Sequence, residues 1–218
     1  MLPIRDSHPT GKFPFWVFLI IATNVYVFFL EITNLNPESF VSQYALIPAL
    51  IDFQNYSSLT PLLTSQFLHA GLLHIFSNML FLWIFGDNVE VRFGFLFFPV
   101  FYLLGGVVAA LTQYVFMTDA SIPMLGASGA VAAVLGAYFA IFPHHSIKTL
   151  IPVFGFPAIV NIPASVMLFY WFFTQLFAGA ASLAVQTAST GGVAFFAHAG
   201  GFVFGWLAGN LAGKDVSS

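Results

Sequence analysis

The stretch Met124-Leu125-Gly126-Ala127-Ser128-Gly129-Ala130-Val131-Ala132-Ala133 reads as a glycine-rich turn that delivers a serine into an apolar, alanine-rich run ending near Phe142. Such a run is short for a helix that crosses a bilayer, which takes about 20 residues. Its small residues are those that let helix backbones approach closely in lipid. Ser128 has two readings here: a small polar residue that eases helix packing, or a nucleophile at the mouth of a buried helix. A base and an oxyanion site elsewhere in the chain decide between them.

Of 218 residues, 59% are hydrophobic and 6% are charged, against about 25% charged in an ordinary soluble domain, so the chain has the composition of a membrane protein. The 29 phenylalanines exceed what a water-facing surface tolerates. A net charge of −3 with no basic run argues against nucleic-acid binding. The absence of cysteine excludes disulfides and thiolate metal ligands.

Apolar spans are expected at about 13–30, 71–85, 95–116, 128–142, 164–184 and 193–211. The first has no small-residue cleavage pattern after it and reads as a retained transmembrane helix. Between it and the second lies a long, partly ordered interfacial loop at 31–68. Asp87, Glu90 and Arg92 punctuate a short turn after the second span. Pro152, Pro157 and Pro163 break the connection between the fourth and fifth. The expected fold class is therefore all-α: a polytopic six-helix bundle over 13–211, with terminal segments 1–12 and 212–218.

Six spans put both termini on one side. Arg5, Lys12, Arg92, Lys148 and Lys214, the complete set of basic residues, all fall in segments on that side. The positive-inside rule then makes the termini cytoplasmic, in a bacterial or archaeal plasma membrane. Helices two, four and six run inward from the opposite face. His74 and Asn78, Ser128, and His198 therefore lie early in three different helices and at similar depth.

His74 and Asn78 are four apart and share a helical face. Together they suggest donors aimed at a developing negative charge, each worth roughly 3–4 kcal/mol to a transition state in a low-dielectric cavity. His69 sits at the helix mouth, where it is expected to hold the loop by hydrogen bonding. Gly201, Gly205 and Gly209 form a ridge without side chains on the sixth helix. The small residues of the fourth, from Gly126 and Gly129 onward, complement it, and close approach would bring His198 within reach of Ser128. A neutral imidazole that takes the serine proton suffices for acyl transfer. No Asp or Glu lies in either helix, so a Ser-His dyad is the natural form, with no cofactor and no metal. Glu90 and Arg92 read as a structural ion pair or loop clamp. Ser65, Gln66, Ser77 and Gln186 are candidates to line a water path, and Phe169, Trp171, Phe172 and Phe173 are lipid-facing candidates for a gate.

These residues resemble the rhomboid intramembrane serine proteases. The motifs that carry the resemblance are His69-x4-His74-x3-Asn78, Glu90-x-Arg92-x-Gly94, Gly126-x-Ser128-Gly129 and Ala197-His198-x-Gly200-Gly201-x3-Gly205, spread over residues 60 to 210. The resemblance implies that Ser128 is the nucleophile and His198 its base, with His74, Asn78 and the Ser128 backbone N–H as the oxyanion site. It also implies that the substrates are single-span membrane proteins cut in the bilayer. Two positions depart from the pattern. Thr60-Pro61 stands where many relatives have Trp-Arg. Ala132 stands where some place an aromatic that stacks on the histidine. The other readings are an inactive rhomboid-like protein that binds membrane clients, and a transporter or haem protein that uses His74 and His198.

Overall fold

The structure, a computed structural model, describes residues 2–153, 156–185 and 195–213, with the backbone alone at 153 and 178–185. Lys214, Gln186 and most of the expected fifth loop lie outside the described residues. Among the described residues six long helices make up the bundle: α1 (Phe15–Thr33), α4 (Leu72–Phe93), α5 (Phe97–Phe116), α6 (Ser128–Ile141), α7 (Ala164–Val185) and α8 (Phe195–Ala212). Two short ones, α2 (Pro37–Tyr44) and α3 (Pro61–Thr64), lie in the first loop. By length and composition α1, α4 and α5 are long and apolar enough to cross a membrane, and α6 is a shorter apolar helix. Large side chains such as Phe18, Phe29, Phe76, Trp83, Phe169 and Leu207 face outward from the bundle, as lipid-facing residues do.

Contacts between helix ends fix their directions. At one end the start of α1 meets the end of α4, and the end of α4 meets the end of α8. Glu90 accepts from the backbone N–H groups of Trp16 at 3.0 Å and Val17 at 2.9 Å, which supplies acceptors to the open first turn of α1. Arg92 Nη2 donates to the carbonyls of Ala212 at 2.7 Å and Gly213 at 3.0 Å, capping α8. At the other end, Glu31 of α1 accepts from the His69 backbone N–H at 3.1 Å, and Gln113 of α5 accepts from that of Ala197 at 3.1 Å. Helix α6 runs parallel to α8, on which its carbonyls at 129, 133 and 137 pack in step. Ala164 at the start of α7 donates to the His145 carbonyl just past the end of α6 at 2.7 Å, so successive long helices alternate in direction.

Two expectations are corrected. The fold is not all-α, because β1 (Leu2–Asp6), β2 (Ser146–Val153) and β3 (Phe156–Pro163) form an antiparallel sheet in that order. The prolines that seemed to break the 143–163 connection sit at tolerated places: Pro152 and Pro157 face each other beside the hairpin turn, and Pro163 closes β3. Ile147 and Thr149 are fully buried beneath the sheet. Arg5 pairs with Lys148 across β1 and β2, which places these two basic residues at one end of the bundle.

The second correction concerns the charged turn after the second span. The helix does not stop at Phe85 but runs to Phe93, with Asp87, Glu90 and Arg92 inside it. Charge does not break this helix because Glu90 and Arg92 cap α1 and α8. The helix ends at Gly94, whose φ of +81° is a left-handed cap position. Among the described residues no ion pair joins Glu90 to Arg92; each clamps a different helix end.

The first loop is more ordered than expected. Leu46 and Met124 exchange backbone hydrogen bonds at 2.9 and 2.7 Å, Ala49 donates to Ala120 at 3.1 Å, and Gly126 donates to Ser65 at 2.9 Å. These bonds stitch the loop to the segment that delivers Ser128.

Candidate active site

Ser128 is the first residue of α6, so its backbone N–H has no acceptor within the helix and points to the positive end of the helix dipole. The preceding Gly126 has φ +129°, where a side chain would be strained. A Cβ there would also stand 2.7 and 2.8 Å from His74 Cε1 and Nε2, and 3.7 Å from Ser128 Oγ. The missing side chain is thus the gap that the His74 ring edge and the Ser128 hydroxyl both border. His74 Nδ1 accepts from the Ala70 N–H at 3.4 Å, which leaves Nε2, the atom beside the gap, as the N–H donor. One turn further along α4, Asn78 is buried and its Nδ2 has no partner.

His198 reaches this end of the molecule because α8 rides on the bare backbone of α6. A methyl on Gly201 would overlap the Gly129 carbonyl oxygen, and one on Gly205 the Ala133 carbonyl oxygen. Gly209 meets the Ala137 carbonyl oxygen at 2.9 Å from the same construction. These pairings run in step, so the two helices are parallel in a four-residue register. His198 then stands one turn beyond the first contact, on the side of Ser128. No hydrogen bond joins Ser128 Oγ to His198.

What His198 does have is a partner on α7. Its Nδ1 lies 2.7 Å from Gln175 Oε1. A carboxamide oxygen can only accept, so Nδ1 carries the proton and Nε2 is left with the lone pair of a base. The Trp171 ring lies 5.7 Å from the imidazole at 34°. Gln175 and Trp171 are one helical turn apart, and α7 therefore holds the histidine by an edge and by a face. Neither was anticipated as part of the site. Trp171 and Phe172, expected toward lipid, turn inward instead, onto His198 and Phe202, while Phe169 is exposed. The signal was available as a single glutamine in an aromatic intramembrane run, because a polar residue there implies a partner. The aromatic missing at Ala132 also has its account. Ala132 is fully buried against Gly201, where a ring has no room, and α7 brings the ring from the opposite side.

A cavity of about 40 Å³ opens beside Ser128, lined among others by Ser65, Gln66, Gly126, Gly129 and Ala197. It exceeds the roughly 10–15 Å³ a water needs, and Gln66 Oε1, buried and without a partner, supplies a polar wall. Ser65 and Gln66 thus line it as expected, whereas Ser77 Oγ donates instead to the His74 carbonyl at 2.9 Å. His74, Asn78 and His198 lie outside its lining, so Ser128 stands between the cavity and the histidine side.

His69 is buried against His74, with ring centroids 5.2 Å apart, and neither of its ring nitrogens makes a hydrogen bond of acceptable geometry. Burial, and then the neighbouring His74, push its imidazole down to about 4, so it is neutral at physiological pH. The loop is held by its backbone N–H on Glu31, not by its ring.

Comparison with known proteins places the chain in a family. The Rhomboid domain family model matches residues 56–215, nearly three quarters of the chain. The presenilin-associated rhomboid-like protein A, mitochondrial, of Danio rerio is 36% identical over 101 residues, 45% of this chain and 26% of that protein. The bovine presenilin-associated rhomboid-like protein, mitochondrial, is 32% identical over 142 residues, 64% of this chain and 36% of its own length. The rhomboid protease GluP of Bacillus subtilis (strain 168) is 35% identical over 131 residues, 58% of this chain and 24% of GluP. The chain thus spans about a quarter to a third of the length of these relatives. With the matched region running from the first loop through α8, and with helices apolar enough to span a bilayer, the chain is an integral membrane protein that belongs to the rhomboid family.

Proposed function

We propose that the chain is an active intramembrane serine endopeptidase, with Ser128 as nucleophile, His198 as general base, and His74, Asn78 and the Ser128 backbone N–H as the oxyanion site. What carries the proposal is the His198–Gln175 hydrogen bond, which leaves Nε2 as the proton acceptor on the helix packed against the serine helix. The missing Ser128–His198 bond fits an enzyme without substrate, since catalytic hydrogen bonds commonly tighten only in the Michaelis complex.

In this mechanism a single-span substrate enters laterally and unwinds, because a helical peptide bond shields its carbonyl. Ser128 Oγ attacks that carbonyl while His198 Nε2 takes the hydroxyl proton. The tetrahedral oxyanion accepts from His74 Nε2–H, Asn78 Nδ2–H and the Ser128 N–H, donors that need no reorganisation. His198 then gives the proton to the leaving amine. Water from the cavity beside Ser128 attacks the acyl-enzyme, with His198 again as base, and restores the free serine.

The alternating directions of the six long helices support six membrane crossings, α6 being short because it starts at the floor of the water-filled site. The basic residues at the β-sheet end support cytoplasmic termini and an active site open to the opposite face. The relatives include mitochondrial proteins as well as a bacterial one, and the charge asymmetry bears on orientation, not on which membrane holds the chain.

The test is cleavage of a single-span substrate by purified protein in liposomes. Ser128→Ala is expected to abolish cleavage while leaving thermal stability unchanged. Turnover by the variant at the native rate would overturn the proposal, and inactivity of the native chain toward a panel of substrates would favour a client-binding role.

A further inference from the structure

At the opposite end of α6 from Ser128, Asp6, His8 and His145 gather around a point the mechanism does not use. Asp6 ends β1, His8 follows two residues later, and His145 lies in the turn between α6 and β2. We propose that these three residues form a site for a divalent transition-metal ion of the Zn²⁺ class. Each offers one ligand atom, and all three atoms lie within 4.8 Å of one another. Asp6 Oδ1 is 3.8 Å from His8 Nδ1, and Oδ2 is 3.8 Å from His145 Nδ1. The two rings stack at a centroid distance of 4.2 Å and an angle of 21°.

No direct hydrogen bond joins the carboxylate to either ring, because 3.8 Å is too long for one; the Tyr138 hydroxyl bridges Asp6 and His145, and no such bridge to the His8 ring is found among the described residues. The bonds of Asp6 come from elsewhere. Oδ1 accepts from the His8 backbone N–H at 2.8 Å, and Oδ2 accepts from Asn88 Nδ2 at 2.7 Å and from the Tyr138 hydroxyl. A carboxylate has about four lone-pair sites, so Oδ1 keeps capacity for a cation. Charge points the same way. Asp6 is 4% exposed, and among the described residues no Lys or Arg pairs with it. A buried carboxylate without a cation is costly, and a metal ion would neutralise it.

The ligand chemistry fits. Two imidazoles and a carboxylate suit Zn²⁺, Co²⁺ or Ni²⁺, with water completing the shell. Ligands at 2.0–2.2 Å from an ion lie about 3.3 Å apart, so closure takes a shift of roughly 1.5 Å, available to the exposed His8 ring. An outer shell is also present. The Tyr138 hydroxyl donates to Asp6 and so accepts from His145 Nδ1–H at 3.0 Å, which leaves Nε2 as the nitrogen His145 would offer the ion, while Asn88 holds the same carboxylate, the kind of partners that orient metal ligands. An ion here would tie the N-terminal strand to the far end of the serine helix.

The test uses the full chain, purified through a tag without histidine, stripped with a chelator and titrated with Co²⁺ and Zn²⁺ by visible absorption and calorimetry. One equivalent per chain is expected, with affinity lowered at least about tenfold by His8→Gln and by His145→Gln. Asp6→Asn also disturbs three native hydrogen bonds, so His8→Gln, at an exposed ring, is the decisive variant, with its melting temperature measured alongside. Binding well below one equivalent would overturn the proposal. So would one equivalent whose affinity is unchanged in both histidine variants, since the ion would then sit elsewhere.

Discussion

The two ends of the bundle satisfy their polar groups in opposite ways. At the end that carries the β-sheet, Glu90 and Arg92 are spent on helix termini and both oxygens of Asp6 accept hydrogen bonds. At the end that carries Ser128, Gln66 Oε1, both ring nitrogens of His69 and Asn78 Nδ2 are buried without partners. The contrast is one of clustering and is not absolute, since Trp16 Nε1 and Ser7 Oγ near the sheet, and Asn24 Oδ1 and the Tyr102 hydroxyl elsewhere, are also buried without partners. Yet the direction is clear. Leaving a buried polar group unsatisfied costs about 1–3 kcal/mol, and a fold tolerates several in one place when a substrate, a water or a transition state is to satisfy them. On the proposed function, the sheet end holds the bundle together and the serine end keeps its polar groups for the reaction.

If that division is right, substitutions at the serine end change rate before stability, and those at the sheet end do the reverse. The largest effect is expected from Gly205→Val, which forces a side chain into the Ala133 carbonyl and separates α8 from α6. Overpacking of this kind costs at least about 3 kcal/mol, so both cleavage and the folded fraction in a denaturant titration should fall. This variant sits between the ends and sets the upper limit.

Asn78→Ala should lower kcat by about 10²- to 10³-fold, read from single-turnover cleavage, with little change in melting temperature. A large loss of stability instead would make Asn78 a packing residue and break the contrast. Glu90→Gln should do the opposite. Two backbone N–H groups lose a charged acceptor, at a cost of about 1.5–3 kcal/mol, while the kcat of the folded fraction stays within a few-fold of native.

Gln175→Leu sharpens the picture further. Without its acceptor, His198 is free to turn or to hold the wrong tautomer, and kcat should fall about 10-fold or more while KM changes little. Gln175→Glu, which keeps an acceptor, should recover part of the rate. The smallest effect is expected from Gln66→Leu, which replaces one polar wall of the cavity. It should slow deacylation a few-fold, visible as a higher steady-state fraction of acyl-enzyme, and leave the acylation burst intact.

Much of the site was legible in the sequence because membrane helices carry strong boundaries. Once the spans were placed, topology alone put His74, Ser128 and His198 early in three helices that start at one face. The glycine ridge was legible for a similar reason: a four-residue repeat of glycine in one helix has few uses other than close approach. Residues whose meaning depends on distant partners were not legible. Glu90 read as an ion-pair partner of Arg92 or a loop clamp, and which groups it holds, the N–H groups at the start of α1 more than 70 residues upstream, was not readable from its neighbours. The sheet was hidden because β1 and β2 are separated by four long helices and two short ones, and neither strand is stable alone. Gln175 was visible as a polar residue in an aromatic helix, but its register toward His198 depends on how α7 packs, which periodicity does not supply.

The most direct measurement of the central claim is covalent labelling of the purified chain in detergent by a fluorophosphonate probe. Labelling requires a serine activated by a base, and it does not require that the physiological substrate be known. The account predicts one label per chain, located on Ser128 by mass spectrometry and lost in both Ser128→Ala and His198→Ala. Persistent labelling of Ser128 in the His198→Ala variant would contradict it, because the proton would then be leaving by another route.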